Sequence, residues 1–196
     1  MYHFRIGLED RSCARKLIVY DIWDDRILVS GSPNPARIHY FAYGSNMHVP
    51  RMLSRVPSAV SCEPASLIQY DLRFHKHGRD GSAKCNIVPS ADGQVFGVVY
   101  EILSTEAARL DGVEGPDYRR TRLEVNGLNT SRTFEAFAYI ARPSAIDDSL
   151  LPESWYHEFV VAGATMHELP DGYIRMLEEI QTLPDGLAVP GDDAAD

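Results

Sequence analysis

Apolar and polar residues follow a strand period over several stretches of this chain. Tyr40, Phe41 and Tyr43 close a β-favouring run over 38–43. Leu67, Ile68, Tyr70, Leu72 and Phe74 mark a strand over 65–75. Further strands are predicted over 84–89 and, most strongly, over 94–102, with Asp92-Gly93 between them as a hairpin signal. Two more, over 119–126 and 133–141, flank a turn at 127–130. Helices are predicted over 49–56, with Pro50 tolerated in the first turn, and over 104–112, with Ser104 as N-cap and Gly112 as stop. The stretches 154–161 and 171–183 also read as helical. Many strands, few helices and no regular βαβ alternation predict an α+β fold, a closed or highly curved mixed sheet with helices outside it. No GxGxxG follows a strand, which argues against a dinucleotide fold.

The ends of the chain read differently. The runs 16–20 and 26–29 suggest a hairpin around an acidic turn, followed by a linker over 31–35. The division expected is an N-terminal extension over 1–36, a main domain over 37–183 and a disordered acidic tail over 184–196, rich in Pro, Gly, Asp and Ala. No apolar h-region and no span-length apolar run are present, so neither a signal peptide nor a membrane partner is expected. A net charge of −9 argues against nucleic acid as the main partner and favours a small molecule. The three cysteines, Cys13, Cys62 and Cys85, have no CxxC spacing, so reduced thiols in the cytoplasm fit better than zinc or a redox dithiol.

Two stretches carry candidate chemistry. The first is Tyr40-Phe41-Ala42-Tyr43-Gly44-Ser45-Asn46-Met47, a strand that stops at Gly-Ser-Asn. Its free amide N–H groups could hold a carboxylate or a developing oxyanion; the plain alternative is an ordinary strand-to-helix turn. The second is Leu110-Asp111-Gly112-Val113-Glu114-Gly115-Pro116-Asp117-Tyr118. Here Glu114 lies between two glycines and before a proline, outside regular structure by the pattern. It could act as a general base in a cleft that raises its pKa, or be a solvated loop residue. Other features carry less. His75-Lys76-His77 lacks a third ligand and reads as a solvated strand face rather than a metal tract. Ser45 has no Gly-x-Ser-x-Gly elbow around it and is not read as a nucleophile. Cys85 reads as buried filler, and one of Arg119 and Arg120 as a charge partner or both as a solvated edge.

Taken together, these stretches resemble the γ-glutamylcyclotransferase family. Tyr43 to Asn46 matches its Tyr-Gly-Ser-Asn loop, and Leu110 to Gly115 followed by Tyr118 matches its Leu-Asp-x-x-Glu-Gly segment. The run 93–100 resembles its Gly-Val-Val-Tyr strand, and Trp155-Tyr156, Gly163-Ala164, Leu169-Pro170 and Tyr173 resemble its C-terminal pattern. The resemblance covers about residues 38–180. It implies a small mixed β-barrel with flanking α-helices, and a reaction that closes a γ-glutamyl group to 5-oxoproline with release of an amino acid or amine, without a cofactor. It implies Glu114 as the catalytic acid/base. Tyr40, Phe41, Ala42, Tyr43, Gly44, Ser45 and Asn46 would form the head-group loop, with Tyr118, Tyr139 and Tyr156 at or near the pocket. Tyr118 could hydrogen-bond Glu114 or line the wall, and Tyr139 could serve mainly in packing. Relatives that act on γ-glutamylamines or remove γ-glutamyl protecting groups in biosynthesis, and a non-catalytic binder of the same fold, are the alternatives. Residues 1–36 lie outside the resemblance and could extend the barrel, cover the pocket or pair two copies as a homodimer.

Overall fold

The computed structural model describes residues 35–184; the expected N-terminal hairpin and acidic tail lie outside the described residues. Five strands form a closed barrel in the order β1-β3-β2-β4-β5. They are β1 (Arg37–Ala42), β2 (Val60–His77), β3 (Ala83–Leu103), β4 (Tyr118–Gly127) and β5 (Thr133–Ala141). All neighbours are antiparallel except β1 and β5, which close the barrel through a parallel pairing at Tyr40 and Phe137. Four helices flank it: α1 (Val49–Arg55), α2 (Ala107–Glu114), α3 (Ser154–Met166) and α4 (Asp171–Glu178). The closed mixed sheet read from the pattern, and the small β-barrel with flanking helices that the resemblance implies, are the fold observed. Among the described residues no helix is long and apolar enough to cross a membrane.

Three local expectations differ. The runs 84–89 and 94–102 are one strand, β3, and Asp92-Gly93 is not a hairpin turn. The β2–β3 register instead jumps from Ile68↔Gln94 to Tyr70↔Pro89, a bulge that kinks the long ribbon. Gly93 fits there because a Cβ would lie 2.5 Å from the Tyr70 carbonyl oxygen. Ser104 does not cap a helix with its side chain; its N–H joins the Ala36 carbonyl at 2.8 Å and it opens a single turn before α2. Helix α2 then passes through Gly112 to Glu114. It ends at Gly115, whose φ of 77° suits glycine, with the Gly115 N–H on the Asp111 carbonyl at 3.0 Å. Glu114 is thus the last residue of a helix rather than an irregular loop residue.

The core fills the barrel and the seam under α3 and α4. Phe41, Val98, Val99, Ile102, Leu110, Val160 and Leu177 are fully buried in it. Cys85 is a free buried thiol. Buried Glu63 is satisfied by the turn after β4: its carboxylate accepts from the N–H groups of Asn129 and Thr130, each at 3.1 Å, and from the Thr130 hydroxyl at 2.6 Å.

Helix α3 holds the turn that follows β1. A Cβ on Gly163 would stand 2.6 Å from the His48 nitrogen and 2.7 Å from the Met47 carbonyl carbon. Gly163→Ala must therefore push α3 off that turn, and we expect a loss of about 1–3 kcal/mol in urea unfolding. Gly112 in α2 has nothing within 4 Å of the same position. Gly112→Ala should instead gain about 0.5–1 kcal/mol, because alanine loses less backbone entropy in a helix. Equal effects of the two substitutions would contradict this packing.

Candidate active site

The barrel brings the two motif stretches together. Strand β1 ends at Ala42, and the chain turns through a single helical turn, Ser45–Met47, closed by the Met47 N–H on the Gly44 carbonyl at 2.9 Å. The amides of Ser45 and Asn46 precede that first bond of the turn. Asn46 is buried, and its side-chain nitrogen donates to the Glu114 carboxylate at 2.9 Å and to the Tyr40 hydroxyl at 3.0 Å. Arg55, from the end of α1, donates to the Asn46 side-chain oxygen at 2.8 Å and lies 3.8 Å from Glu114. Arg51, one turn earlier, donates through Nε to the Ser45 hydroxyl at 3.2 Å. Asn46 is thereby fixed at both ends of its amide, and Glu114 is aimed by it.

These groups line a cavity at one end of the barrel. Of the expected site residues, Glu114, Tyr40, Tyr43, Gly44, Ser45, Asn46, Tyr118, Tyr139 and Tyr156 all line it. Phe41 and Ala42 do not: both are fully buried in the core, where Phe41 packs beneath Gly97 and Ala42 pairs with Val98. Tyr118 is a wall residue and not a partner of Glu114; its hydroxyl donates to the Cys85 carbonyl. Tyr139 donates to Asp111 at 2.7 Å, and Tyr43 donates to the Tyr139 carbonyl. The Tyr156 hydroxyl accepts from the Cys85 N–H at 3.0 Å. A Cβ on Gly44 would come within 3.1 Å of the Cys85 Cβ and 3.3 Å of the Tyr156 hydroxyl, so the loop sits close against both.

The sequence reading missed the cations. Arg51, Arg55, Lys76, Arg79 and Lys84 share the cavity wall with the single carboxylate of Glu114. Arg51 and Arg55 are spaced i, i+4 on α1 directly after the Asn46 turn, a spacing that puts both on one helix face and could have flagged them. Lys76 lies over the Tyr118 ring at 5.0 Å, and Lys84 lies 4.7 Å from the ring centres of both Trp155 and Tyr156. The tract His75-Lys76-His77 is not a solvated face, since His75 and Lys76 are buried. Both ring nitrogens of His75 are engaged, Nδ1 with Asp148 at 2.7 Å and Nε2 with the Asn86 side-chain nitrogen at 2.9 Å. Arg120 is a charge partner, of Asp111 rather than Glu114.

Electrostatics set Glu114 apart from the rest of the wall. The Glu114 side chain is 17% exposed, and burial raises its pKa above the ordinary value of 4.5. The Arg55 charge, the Asn46 hydrogen bond and the charges of Lys76 and Arg51 act against that rise. Burial also lifts the phenols of Tyr40, Tyr43, Tyr118 and Tyr156 above their ordinary value and pushes the Cys85 thiol up to about 12. These groups stay protonated at neutral pH, as does Tyr139, whose phenol is raised by burial and by the Asp111 hydrogen bond. The wall thus offers neutral hydroxyls, cations and one carboxylate able to exchange a proton.

Known proteins resemble the chain in sequence and in fold. Residues 94–177 match the AIG2-like family. The γ-glutamylcyclotransferases of Mus musculus and Bos taurus are 29% and 28% identical over 154 residues, which is 72% of this chain and 78% of each relative. In fold, the chain is similar to a solved γ-glutamyl cyclotransferase, with a TM-score of 0.72 at 23% identity over 82% of this chain and 97% of that one. It is also similar to YkqA from Bacillus subtilis, with a TM-score of 0.61 at 23% identity over 79% of this chain and 58% of that one. The chain is thus similar in sequence to γ-glutamylcyclotransferases and similar in fold to a solved one.

The raised pKa of Glu114 has a consequence for stability. Between the unfolded value near 4.5 and the higher folded value, the native state keeps a proton that the unfolded chain has released. Stability contributed by this group therefore falls as pH rises through that window. Glu114→Gln removes the effect, so its melting temperature relative to the unsubstituted protein should climb from acidic to neutral pH and then level off. Parallel curves for the two proteins would contradict the raised pKa.

Proposed function

We propose that this protein is a γ-glutamylcyclotransferase that closes the γ-glutamyl group of a small molecule to 5-oxoproline and releases the amine it was joined to. The observation that carries this reading is the Asn46–Glu114 hydrogen bond of 2.9 Å, which places the one proton-exchanging carboxylate beside the Gly44–Asn46 turn in a cation-lined cavity. The names of the curated relatives support the same class of enzyme.

The proposed chemistry needs an amine freed of its proton. The α-ammonium of the γ-glutamyl group seats near Glu114, which takes one proton from it. The nitrogen lone pair then attacks the γ-carbonyl carbon, closing a five-membered ring and moving the carbonyl electrons onto oxygen. Amides of the Gly44–Asn46 turn stabilise that oxyanion or hold the α-carboxylate. When the tetrahedral adduct collapses, the bond to the leaving nitrogen breaks and Glu114 returns the proton to it; the carboxylate then takes the second proton from the ring nitrogen, which becomes the neutral lactam N–H, and that proton leaves with the released amine as its ammonium. Burial makes Glu114 a stronger base than a solvated carboxylate, while Arg55 offsets part of that rise. The attack is intramolecular, so folding the glutamyl chain into reacting shape supplies part of the rate. The walls of Tyr43, Tyr118 and Tyr156 confine it in that shape.

Incubation with γ-glutamyl-L-alanine, followed for 5-oxoproline, tests the reaction. We expect Glu114→Gln to lower kcat by about 100-fold or more with a smaller change in KM, because the amide keeps the shape and loses the proton transfer. For the unsubstituted protein, kcat/KM should rise with pH through an acid limb above the ordinary glutamate range, since the ionised carboxylate is the active form. Full turnover by Glu114→Gln would contradict the role of Glu114. A thermal shift with 5-oxoproline but no turnover would mark a binding protein instead.

A further inference from the structure

A second, more open cavity adjoins the first, and Arg79, Tyr118 and Tyr139 line both. It begins at Gly115, the residue after Glu114. Its charges are not balanced as those of a solvated surface would be. The Asp111 carboxylate is ion-paired with Arg120 and accepts the Tyr139 hydroxyl at 2.7 Å, so it is satisfied within the protein. Arg142 uses Nε on the Pro116 carbonyl at 2.9 Å and has no carboxylate partner among the described residues. Arg79 is exposed and makes neither hydrogen bond nor ion pair with the described residues.

Arg79 nevertheless springs from a tied backbone turn. It sits in the turn between β2 and β3, closed by the Gly78 N–H on the Ser82 carbonyl at 2.7 Å. The Asp80 carboxylate ties the turn together, accepting from the Ser82 N–H at 3.0 Å, the Ser82 hydroxyl at 2.9 Å and the Lys84 ammonium at 2.6 Å. Lys84 and Asp80 neutralise each other, which leaves the turn's own charge on Arg79. Its Nη2 lies 3.3 Å from where a Cβ on Gly115 would stand. A free guanidinium therefore hangs over the backbone beside the carboxylate that handles the proton, on the line between the two cavities.

We propose that the second cavity is the leaving-group subsite and that Arg79 reads a carboxylate on the departing amine, selecting γ-glutamyl-α-amino acids over γ-glutamylamines. The inference rests on the proposed cyclisation. In that reaction the leaving nitrogen must meet Glu114 to recover its proton, so the group attached to it extends from Glu114 into the neighbouring space. That space carries two arginines without carboxylate partners. A guanidinium fork suits a carboxylate, which offers two parallel acceptors. An uncharged leaving group would leave the same arginines solvated and gain nothing from them.

The test uses a matched pair, γ-glutamyl-L-alanine and γ-glutamylethylamine, which differ only by the leaving carboxylate. The quantity read is the ratio of their kcat/KM values in the unsubstituted protein, Arg79→Met and Arg79→Lys. We expect the unsubstituted protein to favour γ-glutamyl-L-alanine by about tenfold or more, the size of a charge-assisted contact. Arg79→Met should bring the ratio close to one, chiefly through KM, and Arg79→Lys should restore part of it. The preference should also shrink as salt is raised. A ratio near one in the unsubstituted protein, or a ratio unchanged by Arg79→Met, overturns the subsite while leaving the cyclisation standing. Turnover of neither compound overturns the cyclisation, and the subsite with it.

Discussion

Asn46 and Glu114 are 68 positions apart in sequence and 2.9 Å apart in space, and that one contact fixes how the rest of the site is arranged. Asn46 spends both of its amide atoms at once, its nitrogen on Glu114 and Tyr40 and its oxygen on Arg55. A carboxamide so committed cannot turn without leaving a buried polar group unpaired, which costs about 1–3 kcal/mol. The carboxylate is therefore held in one orientation beside the Gly44–Asn46 turn. Every larger feature serves this contact. Closure of β1 against β3 and β5 delivers Tyr40 and the turn. Helix α2, stopped by Gly115, delivers Glu114, and the close seat of Gly163 on Met47 and His48 keeps the turn from lifting.

The charge pattern follows from the same constraint. The chain as a whole carries −9, yet its cavity is lined by five cations and one carboxylate. Arg55 has a local reason to be there, since it stabilises the ionised form of a buried glutamate and orients its partner amide. Lys84 is matched with Asp80, and Lys76 lies 3.7 Å from Asp117. Arg79 has no such match among the described residues. A concentration of positive charge in an acidic molecule focuses field into the cleft and favours anionic ligands over neutral ones.

The sequence carried a closed or curved mixed sheet with helices outside it, because alternating apolar residues are a local pattern; it divided β3 into two strands, and the meeting of Glu114 with the Gly-Ser-Asn turn came from the family resemblance rather than from either stretch alone. It did not carry the difference between a turn and a bulge. Asp92-Gly93 has the composition of a hairpin, but the pairing of β2 with both halves of β3 turned it into a kink. Phe41 and Ala42 were drawn into the site by proximity in sequence, and the barrel interior claimed them. Gly112 read as a helix stop, yet it has open space around it and the helix passes through to Gly115. The cationic wall was the least legible part. Lys76, Arg79 and Lys84 come from a turn and two strand ends whose convergence on Glu114 depends on the closed barrel rather than on any local spacing.

The central claim is that Glu114 and the Gly44–Asn46 turn act on one γ-glutamyl group, and a crystal structure with 5-oxoproline bound tests it most directly. The ring nitrogen of this product is the former α-amine, and its ring oxygen is the former γ-carbonyl oxygen. The account predicts the ring nitrogen within about 3.2 Å of the Glu114 carboxylate, with the ring oxygen or the carboxylate of the product on amides of the turn. A product seated away from the turn, or one whose ring nitrogen faces a group other than Glu114, would contradict it.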